Sequence, residues 1–271
     1  LQESLRESDT DILVENLWAC AYLSDTGDQA AKSLIESEIM ASVVSHLMSN
    51  IDSLAIVTPA LRTCSNIVAG NDNVTERVIN LGVVPSIMSL LNSQKAAIRR
   101  EVCFFFSNVA AGTENQIAYI FQYPNFLSSL KKIIMQDEPA VVIEAIWVIS
   151  NSVMGGGIDH VRKIIDSEIF EEIFKATPSL NNKGIAVVMD GFREILCNAM
   201  DMLDTPKRLP RLCELYRQEV ERLISKKNDP VLEELNKDIN DLMEDLEPYF
   251  ENSQAQIDKK SSIKKSGYRE D

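Results

Sequence analysis

Residues 95–112 read KAAIRREVCFFFSNVAAG, and this stretch decides the fold. Glu101, Phe104 and Asn108 follow one another at intervals of three and four, so they share one face of a helix expected over about 95–111. Gly112 comes four residues after Asn108 and is expected to close that helix in the left-handed conformation. The arrangement recurs along the chain as Trp18/Tyr22, Arg62/Asn66 and Trp147/Asn151, with Gly70 and Gly155 again four residues after the asparagines. Successive leading members lie 44, 42 and 43 residues apart, and a further step of 43 lands on Asp190/Glu194. A period of this size marks stacked helical repeats, each burying its apolar face only against its neighbours.

Every period divides into a short helix, a second helix and a longer third helix that carries the ladder pair. In the best-defined unit the expected spans are 72–81, 83–92 and 95–111, with Gly82 supplying the turn between the first two and Pro85 in the opening turn of the second. Three helices per unit favour armadillo over two-helix HEAT repeats. The expected fold is all-α, a right-handed armadillo-repeat superhelical solenoid over residues 1–250, with about five to six repeats. Val187, Val188, Phe192, Ile195, Leu196 and Met200 supply another third helix. The stripe Val231, Leu235, Ile239, Leu242 and Leu246 reads as the terminal repeat, with a short coiled coil as the alternative. From Glu251 the chain turns polar, with Lys259-Lys260 and Lys264-Lys265, and residues 251–271 are expected to form a disordered polar and basic tail.

Composition bounds the function. The 41 acidic and 27 basic residues give a net charge of −14, which argues against direct nucleic-acid binding and anionic membranes and favours a cationic partner. Solubility of a long repeat array accounts for the same charge without a partner. Cys20, Cys64, Cys103, Cys197 and Cys213 show no Cys-x-x-Cys spacing, and the two histidines, His46 and His160, have no metal-ligand companions. Reduced buried thiols, no metal and no cofactor are expected, which points to a cytosolic or nuclear compartment. The Gly155-Gly156-Gly157 run follows a helix and lacks a Lys-Ser/Thr, so it is not read as a phosphate loop. Asn73-Val74-Thr75 fits a glycosylation sequon, a frequent chance match. No nucleophile–base arrangement stands out, so an enzyme is not expected.

The ladder carries better chemistry. An Asn inside an apolar helix is a poor helix former, so its recurrence needs a reason. Either each amide bonds the neighbouring repeat, or a row of amides binds the backbone of an extended peptide. Indoles between them would stack on the stems and charges of Lys or Arg, and Glu101 and Glu144, one turn before Phe104 and Trp147, would meet those charges.

Several stretches resemble the importin-α family of nuclear-import adaptors: Trp-Ala-Cys-Ala-Tyr-Leu-Ser-Asp at 18–25, Thr-Pro-Ala-Leu-Arg-Thr-Cys-Ser-Asn-Ile-Val-Ala-Gly at 58–70, Ser-Asn-Val-Ala-Ala-Gly at 107–112 and Glu-Ala-Ile-Trp-Val-Ile-Ser-Asn at 144–151. The likeness is close over residues 9–157 and looser to about 250. It implies a chain that begins near the fifth of ten armadillo repeats and holds the family's minor site for Lys/Arg-rich localisation signals. The importin-β-binding segment and the repeats holding the major site would then be missing from it. On this resemblance Glu101, Phe104, Ser107 and Asn108 form one rung, and Glu144, Trp147 and Asn151 the next. Asn66, Asp72 and Thr75 line the adjoining groove, and Trp18, Tyr22 and Asp25 continue it. Arg62 replaces an aromatic and should repel a basic side chain, dividing one pocket from another. Phe104 stands where the family has Trp, and Ala69 where it has Thr. The implied partners are basic signal peptides of cargo, importin-β, and a nuclear export receptor facing the acidic run Glu233, Glu234, Asp238, Asp241, Glu244, Asp245 and Glu247. The implied location is the cytoplasm and nucleus. The rival reading is an armadillo scaffold or regulatory protein for another partner.

Overall fold

The computed structural model describes residues 1–266 except residues 8 and 203–206, and the side chains of residues 1–250, that of residue 28 also excepted. Its regular structure is helical, with no strand among the described residues. The chain divides into two compact units, Leu1–Gly156 and Gly157–Asp271.

In the first unit α1 (Thr10–Ser24) is followed by three three-helix repeats: α2 (Asp28–Glu36), α3 (Ile39–Ser49) and α4 (Leu54–Val68); α5 (Asp72–Asn80), α6 (Val84–Ser89) and α7 (Ala96–Ala110); α8 (Glu114–Phe121), α9 (Phe126–Gln136) and α10 (Pro139–Gly155). The spans expected for the middle repeat match these within two residues, except that a 3-10 turn at Leu90–Asn92 finishes the second helix. Gly82 has φ +77°, a conformation that favours glycine, and Pro85 lies in the first turn of α6.

The third helices α1, α4, α7 and α10 pack side by side in chain order. Their inward faces close the core: Leu17 and Cys20, then Val57, Leu61 and Cys64, then Val102, Phe105, Phe106 and Val109, then Ile146 and Ile149, all fully buried. Each such side chain contributes about 1.5–3 kcal/mol on leaving water. Phe106 meets Phe105 and Phe126 edge-on, with ring centroids 5.3 and 5.0 Å apart, so α7 and α9 share one aromatic cluster. Burial pushes the Cys20 thiol up to about 11 and the Cys64 thiol to about 12, and raises Cys103 further. Thiols held in this state are unreactive core residues.

The glycines that end the third helices act differently from expectation. Gly70, Gly112 and Gly155 are not left-handed; the residues capping α4 and α7, Ala69 and Ala111, stay right-handed at φ −74° and −80°. Gly112 and Gly155 are small because neighbours crowd them. A Cβ on Gly112 would lie 2.0 Å from Gln116 Oε1, and one on Gly155 would lie 2.9 Å from Ile117 Cδ1. Gln116 is buried and completes a capping box with Thr113, while its Nε2 donates to the Asp72 carbonyl at 2.9 Å. The helix end is therefore also a tie between α8 and α5.

The second unit holds α11 (Ile158–Asp166), α12 (Ile169–Ala176) and α13 (Asn182–Met200), then α14 (Leu209–Leu215), a π-helical segment at Tyr216–Glu221, the short α15 (Arg222–Ile224) and α16 (Pro230–Ser266). Phe192 stacks on Tyr216 at 5.0 Å and meets Phe174 edge-on at 5.1 Å. Of the terminal stripe, Ile239 and Leu246 are buried together with Leu232 and Met243, and α13 packs against α16. The helix α16 continues past Glu251, where the disordered tail was expected to begin. The side chains of that tail and its residues 267–271 lie outside the described residues.

Candidate functional site

The ladder residues sit on the faces of α1, α4, α7 and α10 that point away from the core, and part of the predicted site converges on one cavity. A space of about 360 Å³ is lined by Asp25, Arg62, Asn66, Glu101, Phe104 and Glu144, together with Ala97 and Arg100. An adjoining space of about 250 Å³ shares Asp25, Asn66 and Phe104 and reaches Ala69 and Gly70. The hydroxyl that the family resemblance would place at Ala69 is thus replaced by open volume.

Two of the three carboxylates in the cavity, Glu101 and Glu144, are already paired within the chain. Arg62 Nε and Nη2 both donate to Glu101 Oε2, at 2.7 and 2.6 Å. Arg100 Nη2 donates to Glu144 Oε1 at 3.4 Å. Burial raises the Glu144 carboxyl above its ordinary value; the Arg100 charge opposes the rise and the nearby Glu101 charge adds to it. Arg62 was expected to repel a basic side chain and Glu101 to meet the charge of one; the structure pairs the two with each other. An acid with 11% of its side chain exposed is costly to leave uncompensated, which explains the pairing. Sequence reading missed Arg100. Its signal was present, since Arg100 precedes Glu144 by 44 residues, one period, and so falls on the adjacent helix.

The asparagines divide into two kinds. Asn66 Nδ2 donates to the Ala21 carbonyl at 3.2 Å and to Ser24 Oγ at 3.0 Å, and Asn151 Nδ2 donates to the Ser107 carbonyl at 2.9 Å. Both amides therefore tie one third helix to the one before it. Asn108 differs: among the described residues, its Nδ2 and the Glu101 Oε1 are buried without a hydrogen-bond partner. These two atoms lie two turns apart on α7, with Phe104 between them.

The remaining predicted residues separate clearly. Trp18 and Tyr22 stack at 5.8 Å on α1, with Tyr22 exposed and Trp18 half-buried. Trp147 and Asn151 are half-buried on α10. Ser107 is buried, its hydroxyl donating to the Phe104 carbonyl. Asp72 is exposed in the first turn of α5. Thr75 is buried, and its hydroxyl donates to the carbonyls of Val68 and Asn71, closing the turn between α4 and α5. In the second unit Asp190 is half-buried and raised by burial, and Glu194 accepts from Asn198 Nδ2.

The three-helix units are those of armadillo-repeat proteins. A designed armadillo repeat protein superposes with a TM-score of 0.77 at 18% identity, covering 89% of this chain and 97% of its own. Another, solved in complex with the peptide (KR)4, gives 0.77 at 18% identity over 89% and 96%. At these identities the likeness establishes the fold. Within that class the chain carries an importin-α-like armadillo-repeat region. Importin subunit alpha-1a of Oryza sativa subsp. japonica is 34% identical over 118 residues, 43% of this chain and 22% of that protein. Importin subunit alpha-7 of Arabidopsis thaliana is 36% identical over 105 residues, 38% and 20% of the two chains. Importin subunit alpha-8 of the same plant is 25% identical over 175 residues, 64% of this chain and 39% of that one. The matched stretch spans about a fifth of the length of the first two relatives. No family model matches the chain.

Proposed function

We propose that the ladder face of the first unit binds an extended Lys/Arg-rich peptide, and that the chain serves as part of a nuclear import adaptor moving between cytoplasm and nucleus. The observation that carries this reading is the convergence of Asp25, Glu101 and Glu144 with Phe104 and Asn66 on one cavity. Acid, aromatic ring and amide are the three groups needed to hold a basic side chain and its backbone. The importin-α-like region and the (KR)4-bound neighbour support it, as does the net charge of −14. In this reading Trp147 and Phe104 flank basic side chains, each contact contributing about 0.5–2 kcal/mol, with the indole the stronger platform. Asn108, whose Nδ2 is buried, turns its amide outward to donate to a peptide carbonyl. Asn66 and Asn151, whose Nδ2 atoms are committed to neighbouring repeats, offer their carbonyl oxygens to peptide N–H groups. Importin-β and an export receptor are the further partners proposed for the whole protein.

Fluorescence anisotropy with a labelled basic signal peptide tests the reading. The Trp147→Ala/Asn151→Ala double variant should bind at least about tenfold more weakly, and parental affinity should fall with added salt. Equal binding by parent and variant removes the groove assignment. The amides of Asn66 and Asn151 favour a second reading, in which the ladder only joins repeats and the partner is of another kind. A panel of unbiased peptides separates the two, because such a scaffold shows no preference for clustered Lys and Arg.

A further inference from the structure

We infer that Arg100 is a displaceable internal counter-ion that sets the basic-peptide selectivity of the cavity, so that a ligand cation reaches Glu144 only by exchanging with it. This rests on the peptide-binding reading above. The two arginine pairs are unequal. Arg62 places two donors on one oxygen of Glu101, at 2.6 and 2.7 Å. Arg100 makes one long contact of 3.4 Å, and 59% of its side chain is exposed, against 16% for Glu144. A single long contact from a solvated guanidinium is weak, whereas the two short contacts on the deeper Glu101 hold firmly. Arg62 is therefore a fixed wall and Arg100 a movable one.

Charge balance gives the same order. Three carboxylates, Asp25, Glu101 and Glu144, share the cavity with two guanidiniums, Arg62 and Arg100. One incoming Lys or Arg balances the excess while both arginines stay in place. A second basic residue has no uncompensated acid until Arg100 swings into solvent. Arg100 thus discriminates against sparsely charged segments and admits peptides whose clustered cations together outweigh its own weak contact. It acts through Glu144 and is a positioning residue, not itself a ligand contact.

Calorimetric titration with an alternating Lys-Arg octapeptide tests this on the whole chain and its variants. Arg100→Ala and Arg100→Gln should bind two- to fivefold more tightly, about 0.4–1 kcal/mol, because the exchange no longer opposes binding. Arg100→Lys should keep parental affinity. The gain should vanish when Arg100→Ala is combined with Glu144→Ala. If the gain persists undiminished in that background, the effect is long-range charge and the exchange is overturned. It is likewise overturned if Arg100→Ala and Arg100→Gln bind no tighter than the parent while Trp147→Ala/Asn151→Ala still loses affinity, an outcome that leaves the peptide-binding reading standing. Absence of binding by parent and variants alike overturns both.

Discussion

Three asparagines in the same ladder are bonded in two different ways, and the difference is measurable one residue at a time. Asn66 and Asn151 each join neighbouring third helices through Nδ2, so Asn66→Ala and Asn151→Ala remove bonds that hold repeats together. Each should lower stability by about 1 kcal/mol in urea unfolding. Asn108 has a buried donor without a partner among the described residues, so Asn108→Ala should change stability by less than about 0.5 kcal/mol while weakening basic-peptide binding. Equal stability losses at all three positions, with peptide affinity unchanged, would show that the amides serve one structural purpose. Both roles were legible as alternatives from the recurrence of Asn at a fixed register. Their assignment to particular rungs was not, because it depends on whether the preceding helix presents an acceptor within about 3 Å, a distance that no spacing rule encodes. The pairing of Arg62 with Glu101 escaped the sequence for a similar reason. The two lie 39 residues apart, short of the period, and long side chains close the gap.

At the level of the helix, the turn that ends α7 shows how a correct position can carry the wrong reason. Gly112 was expected at a helix end and is found there, yet its backbone is not left-handed. The requirement is room for Gln116, whose Oε1 accepts from the Thr113 N–H and whose Nε2 reaches the Asp72 carbonyl. Gly112→Ala should therefore evict that side chain, breaking the capping box and the tie to α5 at a cost of about 1–3 kcal/mol. The check is a double-mutant cycle read by thermal or urea unfolding: in a Gln116→Ala background the Gly112→Ala penalty should largely disappear. A penalty unchanged in that background would mean that the glycine is needed for its backbone after all. The helix spans themselves were plainly legible, since apolar periodicity, Gly82 and Pro85 set them within two residues in the middle repeat. Crowding across repeats was not, because the atom that fills the space above Gly112 is defined only once α7 and α8 are packed.

For the molecule as a whole, ion pairing and burial pull the pH dependence in opposite directions. Arg99 binds Asp137 through the Nε/Nη2 edge of its guanidinium, Nε to Oδ2 at 2.5 Å and Nη2 to Oδ1 at 2.7 Å, and its Nη1 donates to the Ser93 carbonyl. That bidentate bond, joining α7 to the turn before α10, holds the Asp137 carboxyl below its ordinary value. A depressed carboxylate contributes stability that is full above its unfolded pKa and is lost as pH falls through the folded one. Its loss belongs below about pH 4. Glu144 and Asp190 are raised by burial, so they bind protons more readily folded than unfolded. Their contribution runs the other way, with stability rising as pH drops from neutrality toward the ordinary carboxylate range. Partial neutralisation of the −14 charge adds to that rise by easing self-repulsion. The urea midpoint should therefore hold level or climb between pH 7 and about pH 5 and fall steeply only below about pH 4. Asp137→Asn should start lower at pH 7 and show a shallower acid fall, because the proton-linked part of the Arg99 bond is already gone. A steep loss of stability between pH 7 and 5, or an acid limb unchanged by Asp137→Asn, would show that other carboxylates govern the response.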